Sequence, residues 1–230
     1  FITTYPSDGT NTVDFQQVKQ TMDITESYLV DREDVYANIF YSSDEIEAKG
    51  VVNATIEQRG QSARMAKQKS FKIKVLNRDN LWFGYDTINL NKHFEDDFRI
   101  KNKLSFDLFN GLDNIVGLDT KFVELHVKDL ALGMNEYESY GLYTFVEQPN
   151  KAFLDRTFND KYGLLYKAEF FEFYNYSVIQ STNSPTFDDA AFENYLEVKG
   201  TDDHKYIKKM LEDLNDYNKD IDVIIDKYFH

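Results

Sequence analysis

"RGQSARMAKQKSFKIKV", residues 59–75, decides how the chain is read. Its second half alternates: Phe71, Ile73 and Val75 are apolar while Lys72 and Lys74 are charged, the period of a half-buried strand. Upstream, "NATIEQRG" (53–60) alternates as well, with Ala54 and Ile56 on one face and Asn53, Thr55 and Glu57 on the other. Gly60 and Ser62 between them supply a turn. The stretch therefore predicts strand, turn, strand, with Lys72 and Lys74 pointing outward. It also holds six basic residues, Arg59, Arg64, Lys67, Lys69, Lys72 and Lys74, and no acidic one. The whole chain has 26 Lys and Arg against 40 Asp and Glu, a net charge of -14, so this local excess needs a reason.

Working outward, "DVYANIFYSS" (34–43) and "TINLN" (87–91) read as further strands, and residues 1–12 as a polar arm followed by short strands or turns. Near residue 95 the period changes. Phe98, Ile100, Leu104, Leu108 and Phe109 recur at helical spacing, which predicts a helix over roughly 97–109. Asp96 and Asp97 sit at its start and Gly111 at its stop. "KFVELHVKD" (121–129) and "YGLYTFVEQ" (140–148) read as antiparallel strands, "KAFLDRTF" (151–158) as a short helix and "GLLYKAEFFEFY" (163–174) as strand-like. "NYSVIQSTNSPTFDDA" (175–190) reads as loop, and 203–229 as two helices broken near Asn215–Asn218. The expected class is α+β in a single domain over 1–230, mainly β in 1–95 and mixed in 96–230, ending in helices.

Composition narrows the function. The chain of 230 residues, 42% hydrophobic, can bury a proper core. Its acidity argues against nucleic acid as the main partner, because phosphodiester backbones need a basic face. No run of about 18 apolar residues is present to span a bilayer. There is no cysteine, which removes disulfides, thiolate metal sites and Cys nucleophiles together. The four histidines, His93, His126, His204 and His230, are scattered, read as surface or strand residues, and offer no zinc spacing. Glu95-Asp96-Asp97 reads as a helix-start acidic cluster, with cation binding as the other possibility. The start lacks Met and a signal-like apolar run, which predicts a processed or trimmed chain.

Two readings of the basic stretch stand side by side. Alternating lysines commonly make a solvated strand face. Arg59-Gly60 followed by Ser62, Arg64 and Lys69 also suits an anion: glycine lets the backbone approach, arginine offers a planar fork and lysine a point charge. A glycine-containing turn between two strands is how some enzymes cover a nucleotide's phosphates. The G-x-G-x-x-G, H-R-D, D-F-G and Walker A signatures are absent.

Taken in order, "RGQSARMAKQKSFKIKV", "INLNKHFEDDFRIKNKLSFDLF", "FVELHV", "YGLYTFVEQPNKAFL" and "GLLYKA" resemble the spore coat protein H (CotH) kinase family. Gln68 stands where that family commonly has the first Lys of a Lys-Lys pair, and Ala66 near an aromatic or Pro position. The resemblance implies an atypical protein-kinase-like fold, with a β-rich N-lobe-like region followed by helices. It implies ATP and Mg²⁺ as cofactors and Ser on a secreted, cell-surface or coat protein as substrate. It assigns Arg59, Gly60, Ser62 and Arg64 to the turn over the phosphates and Lys69 to the α/β-phosphates. Glu147 falls near the adenine side or in a structural pair, and Arg99 and Asn102 on the family's helix. The family's late Asn-x-Asp and Pro-Trp-Asp-x-Asp stretches do not occur, the one tryptophan being Trp82. The expectation is thus a front portion without catalytic or metal residues of its own. A non-catalytic protein-binding module using its 16 tyrosines, or a carbohydrate-binding module using Tyr and Trp82, are the alternatives.

Overall fold

The computed structural model describes residues 1–8, 11–41, 52–77, 83–160, 162–168, 171, 173, 187–199 and 204–229. Trp82, most of 175–190 and parts of 34–43 and 163–174 lie outside the described residues. The chain divides into two units, Phe1–Arg156 and Thr157–His230. The mixed α+β class read from the sequence holds.

Seven strands close the first unit into a barrel: β1 (Ile2–Thr4), β2 (Asp34–Ile39), β3 (Ala54–Arg59), β4 (Ser70–Val75), β5 (Thr87–Asn91), β6 (Thr120–Asp129) and β7 (Glu138–Glu147). They run in the order β1-β2-β3-β4-β5-β7-β6, and β6 returns to β1. That closing pair is parallel, and every other pair is antiparallel. Side chains alternate across each strand, so Ile56, Phe71, Ile73, Leu90, Val127 and Phe145 fill the interior, each at most 5% exposed.

The front of the chain departs from the arm expected there. Ile2–Thr4 is barrel strand β1, buried because it pairs on both sides, with β2 and with β6. Such burial comes from long-range pairing, which three residues do not advertise locally. Two short helices follow, α1 (Phe15–Val18) and α2 (Ile24–Leu29), where strands or turns were expected. Asp23 and Glu26 form a capping box at α2: the Glu26 amide donates to Asp23 Oδ1 at 2.8 Å, and the Asp23 amide to Glu26 Oε2 at 3.0 Å. Phe15 of α1 is fully buried at one end of the barrel, its ring 5.5 Å from that of Phe71.

The helix expected over 97–109 is α3, Lys101–Asn110. Its start slips because Asp96 accepts from the amides of Phe98 at 3.2 Å and Lys101 at 2.8 Å, while Arg99 adopts φ 58°. Of the acidic cluster, Asp96 thus accepts from the first amide of the helix, with Ile100 at the N-cap position. The apolar stripe is not inside a core: Phe98 is 80% and Leu108 62% exposed. α4 (Lys151–Phe158) begins after Asn150, whose side chain accepts from the amides of Ala152 and Phe153.

The second unit has a two-stranded sheet, β8 (Tyr166–Ala168) and β9 (Leu196–Val198), and helices α5 (Asp189–Glu193), α6 (Lys205–Leu214) and α7 (Ile221–Tyr228). The expected break near Asn215–Asn218 separates α6 from α7. Phe192, Leu196, Met210 and Leu211 form its core. His204, expected at a surface or in a strand, is fully buried. Its Nδ1 meets the Tyr166 hydroxyl and its Nε2 meets Glu193 Oε1, both at 2.9 Å, so both ring nitrogens are satisfied inside. Among the described residues no helix is long and apolar enough to cross a membrane.

Candidate anion-binding site

The antiparallel register sets Arg59 opposite Ser70, and its continuation sets Ser70 beside Asn91. These three lie on the outer face of β3, β4 and β5, opposite in parity to Phe71 and Leu90. Arg59 Nη1 donates to Asn91 Oδ1 at 3.0 Å, and Asn91 Nδ2 donates to Asn102 Oδ1 at 3.2 Å, which ties α3 to the sheet. Between sheet and helix lies a cleft of about 490 Å³, walled by Arg59, Gly60, Ser70, Asn91, His93 and Asn102, with Glu95, Asp96 and Lys101 also at its walls. Arg59 has no carboxylate partner among the described residues. Burial, and then the charge of Arg32, lower its pKa, so the guanidinium is held where its charge is costly. Burial likewise lowers the pKa of His93, which favours its neutral form at ordinary pH.

The turn that shapes this cleft is pinned in place. Gly60 has φ 98°, a backbone region that favours glycine, and a Cβ there would stand 2.8 Å from the Cβ of Ala63. Its carbonyl accepts from Arg32 Nη2 at 3.1 Å. Ser62 starts a short 3₁₀ turn, Ser62–Met65, and is exposed. Arg64 is buried on that turn but aims elsewhere: Nη1 donates to the carbonyls of Ser27 at 3.0 Å and Val30 at 2.7 Å, closing the end of α2. A fork spent on helix-end carbonyls is a structural clamp. Arg99 is another, donating to the Lys92 carbonyl at 2.7 Å and to Gln68 Oε1 at 2.6 Å.

Lys69 opens onto a different space. A cavity of about 370 Å³ at the α1 end of the barrel is lined by Lys19, Lys67, Lys69 and Lys92 together with Tyr140 and Tyr143, and no Asp or Glu among the described residues lines it. Lys69 is 4% and Lys92 6% exposed. Lys69 Nζ donates to the Arg64 carbonyl at 2.7 Å, and Lys92 Nζ to the Tyr140 carbonyl. Burial lowers the pKa of both, with Arg64 and Arg99 respectively adding to it.

Glu147 lies in neither cavity. It is 2% exposed and bonded to Arg156, whose Nε donates to Oε1 at 3.1 Å. Its Oε2 accepts from the Asp119 amide at 3.2 Å, and Asp119 in turn accepts from the Tyr85 hydroxyl at 2.8 Å. Burial and that hydrogen bond push the Tyr85 hydroxyl up to about 12. Lys72 and Lys74 do point outward, but they are not a free solvated face. Both reach the buried Glu57 across the β3–β4 pair, at 3.6 and 2.8 Å.

Of the six residues singled out, Arg59 and Gly60 come together, Ser62 and Arg64 shape the turn, and Lys69 and Glu147 stand apart. Lys19, Lys92, Asn91 and His93 escaped the sequence reading. The signal for Lys92 was its place one residue past "TINLN", as Lys69 stands one before "SFKIKV".

The profile of the family described as "CotH kinase protein" matches residues 56–230, which begin inside β3 and include every residue of the cleft. The chain belongs to the CotH kinase family. No curated protein matches it. In this CotH-family chain, no group of three or more His, Asp or Glu among the described residues is arranged to hold a metal ion.

Proposed function

We propose that this chain is the nucleotide side of a CotH-type protein kinase, which binds ATP with its phosphates at the Arg59–Gly60 turn and, when complete, phosphorylates Ser on a secreted or coat protein. The observation that carries this reading is Arg59: a half-buried guanidinium without an acidic partner, at a cleft whose turn requires glycine. Its fork matches a phosphate, and Gly60 lets the backbone come close. The order of parts supports it further. A glycine-containing turn between two antiparallel strands, then a third strand and a helix, is how a protein kinase covers its phosphates. Ser62 stands on the same turn and Arg64 keeps the turn on α2. Lys69, which the family resemblance assigns to the α/β-phosphates, faces the neighbouring cavity, and Glu147 anchors α4 through Arg156.

Among the described residues no group of three or more His, Asp or Glu is placed to hold Mg²⁺ by protein ligands alone. The 230-residue chain alone is expected to bind ATP without transferring its phosphate. ATP-dependent thermal stabilisation that disappears in Arg59→Ala is the test. Stabilisation retained in that variant, or stoichiometric Ser phosphorylation by the chain alone, would refute it. A second reading, a protein-binding module on the same scaffold, rests on the exposed Phe98, Leu104 and Leu108 at α3, and predicts no ATP effect.

A further inference from the structure

We infer that the other end of the barrel, away from α1, is a binding site for one small uncharged aromatic molecule, about two fused rings in size. A cavity of about 340 Å³ opens there. Its floor is Ile39, Ile73, Ile88, Leu90 and Phe145, inward residues of β2, β4, β5 and β7, each at most 5% exposed. The two ends of the barrel are filled differently. At the α1 end aromatic rings pack across the interior, Phe15 against Phe71 at 5.5 Å and Phe71 against Tyr143 at 6.2 Å. At the other end Ile39, Ile73 and Ile88 face the interior, and the cavity stands between them. A barrel of about eight strands is wide enough to be filled by side chains or to hold one small ligand. Here one end does the first and the other is built for the second.

Size, charge and rim select the ligand. An apolar cavity of about 150 Å³ stays dry and takes benzene, so roughly twice that volume suits two fused rings. The floor carries no polar side chain. Glu124 is the only charged residue lining the cavity among the described residues. Strand parity turns its side chain to the outer face, since Val123 and Leu125 on either side pack into the core. There its carboxylate accepts from the Ser139 hydroxyl at 2.8 Å and lies 3.3 Å from His126 Nε2. An ion entering the cavity would give up its water without a partner in return, which leaves an uncharged guest. The rim is aromatic, with Phe40, Tyr41 and Phe122. The Phe40 ring is held in place, stacked on that of Phe1 at 5.1 Å and edge-on to that of Tyr137 at 5.8 Å, and Tyr41 meets Phe83 edge-on at 5.2 Å. Rings fixed in this way favour an aromatic guest, by offset or edge-to-face contact, over a flexible alkyl chain. The cavity opens from the barrel interior, whereas Arg59 lies on the outer face, so this site does not rest on the nucleotide reading.

The probe is prodan, an uncharged naphthalene fluorophore whose emission moves to the blue in apolar surroundings. Titrated into the 230-residue chain, it should fill one saturable site, with blue-shifted emission, and raise the melting temperature. Saturating ATP or adenosine should leave it bound. Phe122→Ala at the rim should weaken binding by about three- to tenfold, the worth of one aromatic contact. Ile73→Phe, which fills the floor, should abolish binding while the circular dichroism stays native. Leu108→Ala, on the exposed apolar stripe of α3, should change it by less than about twofold. If Ile73→Phe does not fold, Phe122→Ala decides, because Phe122 is 45% exposed and its loss leaves the core intact. Uptake that does not saturate, equal losses in Phe122→Ala and Leu108→Ala, or a folded Ile73→Phe that still binds would overturn the proposal. Displacement by ATP or adenosine would overturn it too, because the cavity would then belong to the nucleotide's base.

Discussion

Lysines converge in two regions of this molecule, and what they converge on differs. In the second unit, Lys209, Lys219 and Lys227 meet Asp213, with Lys209 at 2.9 Å and Lys227 at 3.0 Å, and the Tyr228 hydroxyl donates to the same carboxylate at 2.7 Å. In the barrel, Lys19, Lys67, Lys69 and Lys92 meet around a cavity with no acid among the described residues of its wall. The first arrangement explains itself, since the carboxylate joins α6 to α7 and its charge is compensated on the spot. The second meets no carboxylate among the described residues, in a chain rich in them. A cluster of one sign is structural when its counter-charge is built in, and points to a ligand when it is not.

The largest expected effect tests the self-contained cluster. Lys219 foremost, then Tyr228 and Lys209, hold the Asp213 carboxyl far below the usual carboxylate range. Its ionised form therefore stabilises the fold above the ordinary value of 3.8, and that contribution is lost as pH falls toward the depressed value. Asp213→Asn should cost on the order of 2 kcal/mol near neutral pH. The gap from the wild type should narrow below about pH 4. Urea unfolding at several pH values measures both, and a gap that stays constant into acid would show that charge is not what the cluster uses.

Next in size is the Arg59 cleft. Arg59→Ala should weaken ATP binding by about ten- to a hundredfold, the worth of one charge-assisted contact, and Arg59→Lys should recover part of it. Titration calorimetry decides this, and an unchanged affinity would remove Arg59 from the site. The lysine-lined cavity is expected to reveal itself through stability. Lys92→Met removes a buried charge that meets no carboxylate among the described residues, so without added anion the variant should be more stable than the wild type, by about 1 kcal/mol. The sign with pH follows from the lowered pKa of Lys92. Between that value and 10.5 the unfolded chain binds more protons, so the wild type should gain on the variant as pH rises through this window. Denaturant midpoints from neutral to alkaline pH check it.

How much of this could be read beforehand depended on range. Local period announced β4 and β5, and the change of period announced α3, because side-chain alternation is written in adjacent residues. The β1 strand was illegible because its burial depends on partners more than 30 and 120 residues away, in Ile39 and Val127. The start of α3 was misplaced because Asp96 accepts from its first amide across a residue at positive φ. At the site, Arg59 and Gly60 could be named from residue type and turn. That Arg64 clamps α2 and that Lys69 faces Lys92 and not Arg59 are facts of direction, set by strand parity and by which carbonyls lie nearby.

The smallest expected effect is the control on which the contrast rests. Lys74 belongs to the same short basic stretch as Lys69, yet it already has a partner: it lies 2.8 Å from Glu57, a residue 8% exposed, and 3.9 Å from Asp34. Its side chain is 44% exposed, and Lys72 stays 3.6 Å from Glu57 when Lys74 is removed. Lys74→Ala should therefore cost no more than about 1 kcal/mol of stability, the range of exposed ion pairs. It should change ATP affinity by less than about threefold, because a charge already paired has little left to offer a ligand. Titrating ATP into Lys74→Ala and Arg59→Ala under one buffer makes the comparison direct. A loss in Lys74→Ala as large as in Arg59→Ala would mean that the stretch attracts anions as a diffuse field. Steep weakening with added salt, shared by both variants, would mark that case.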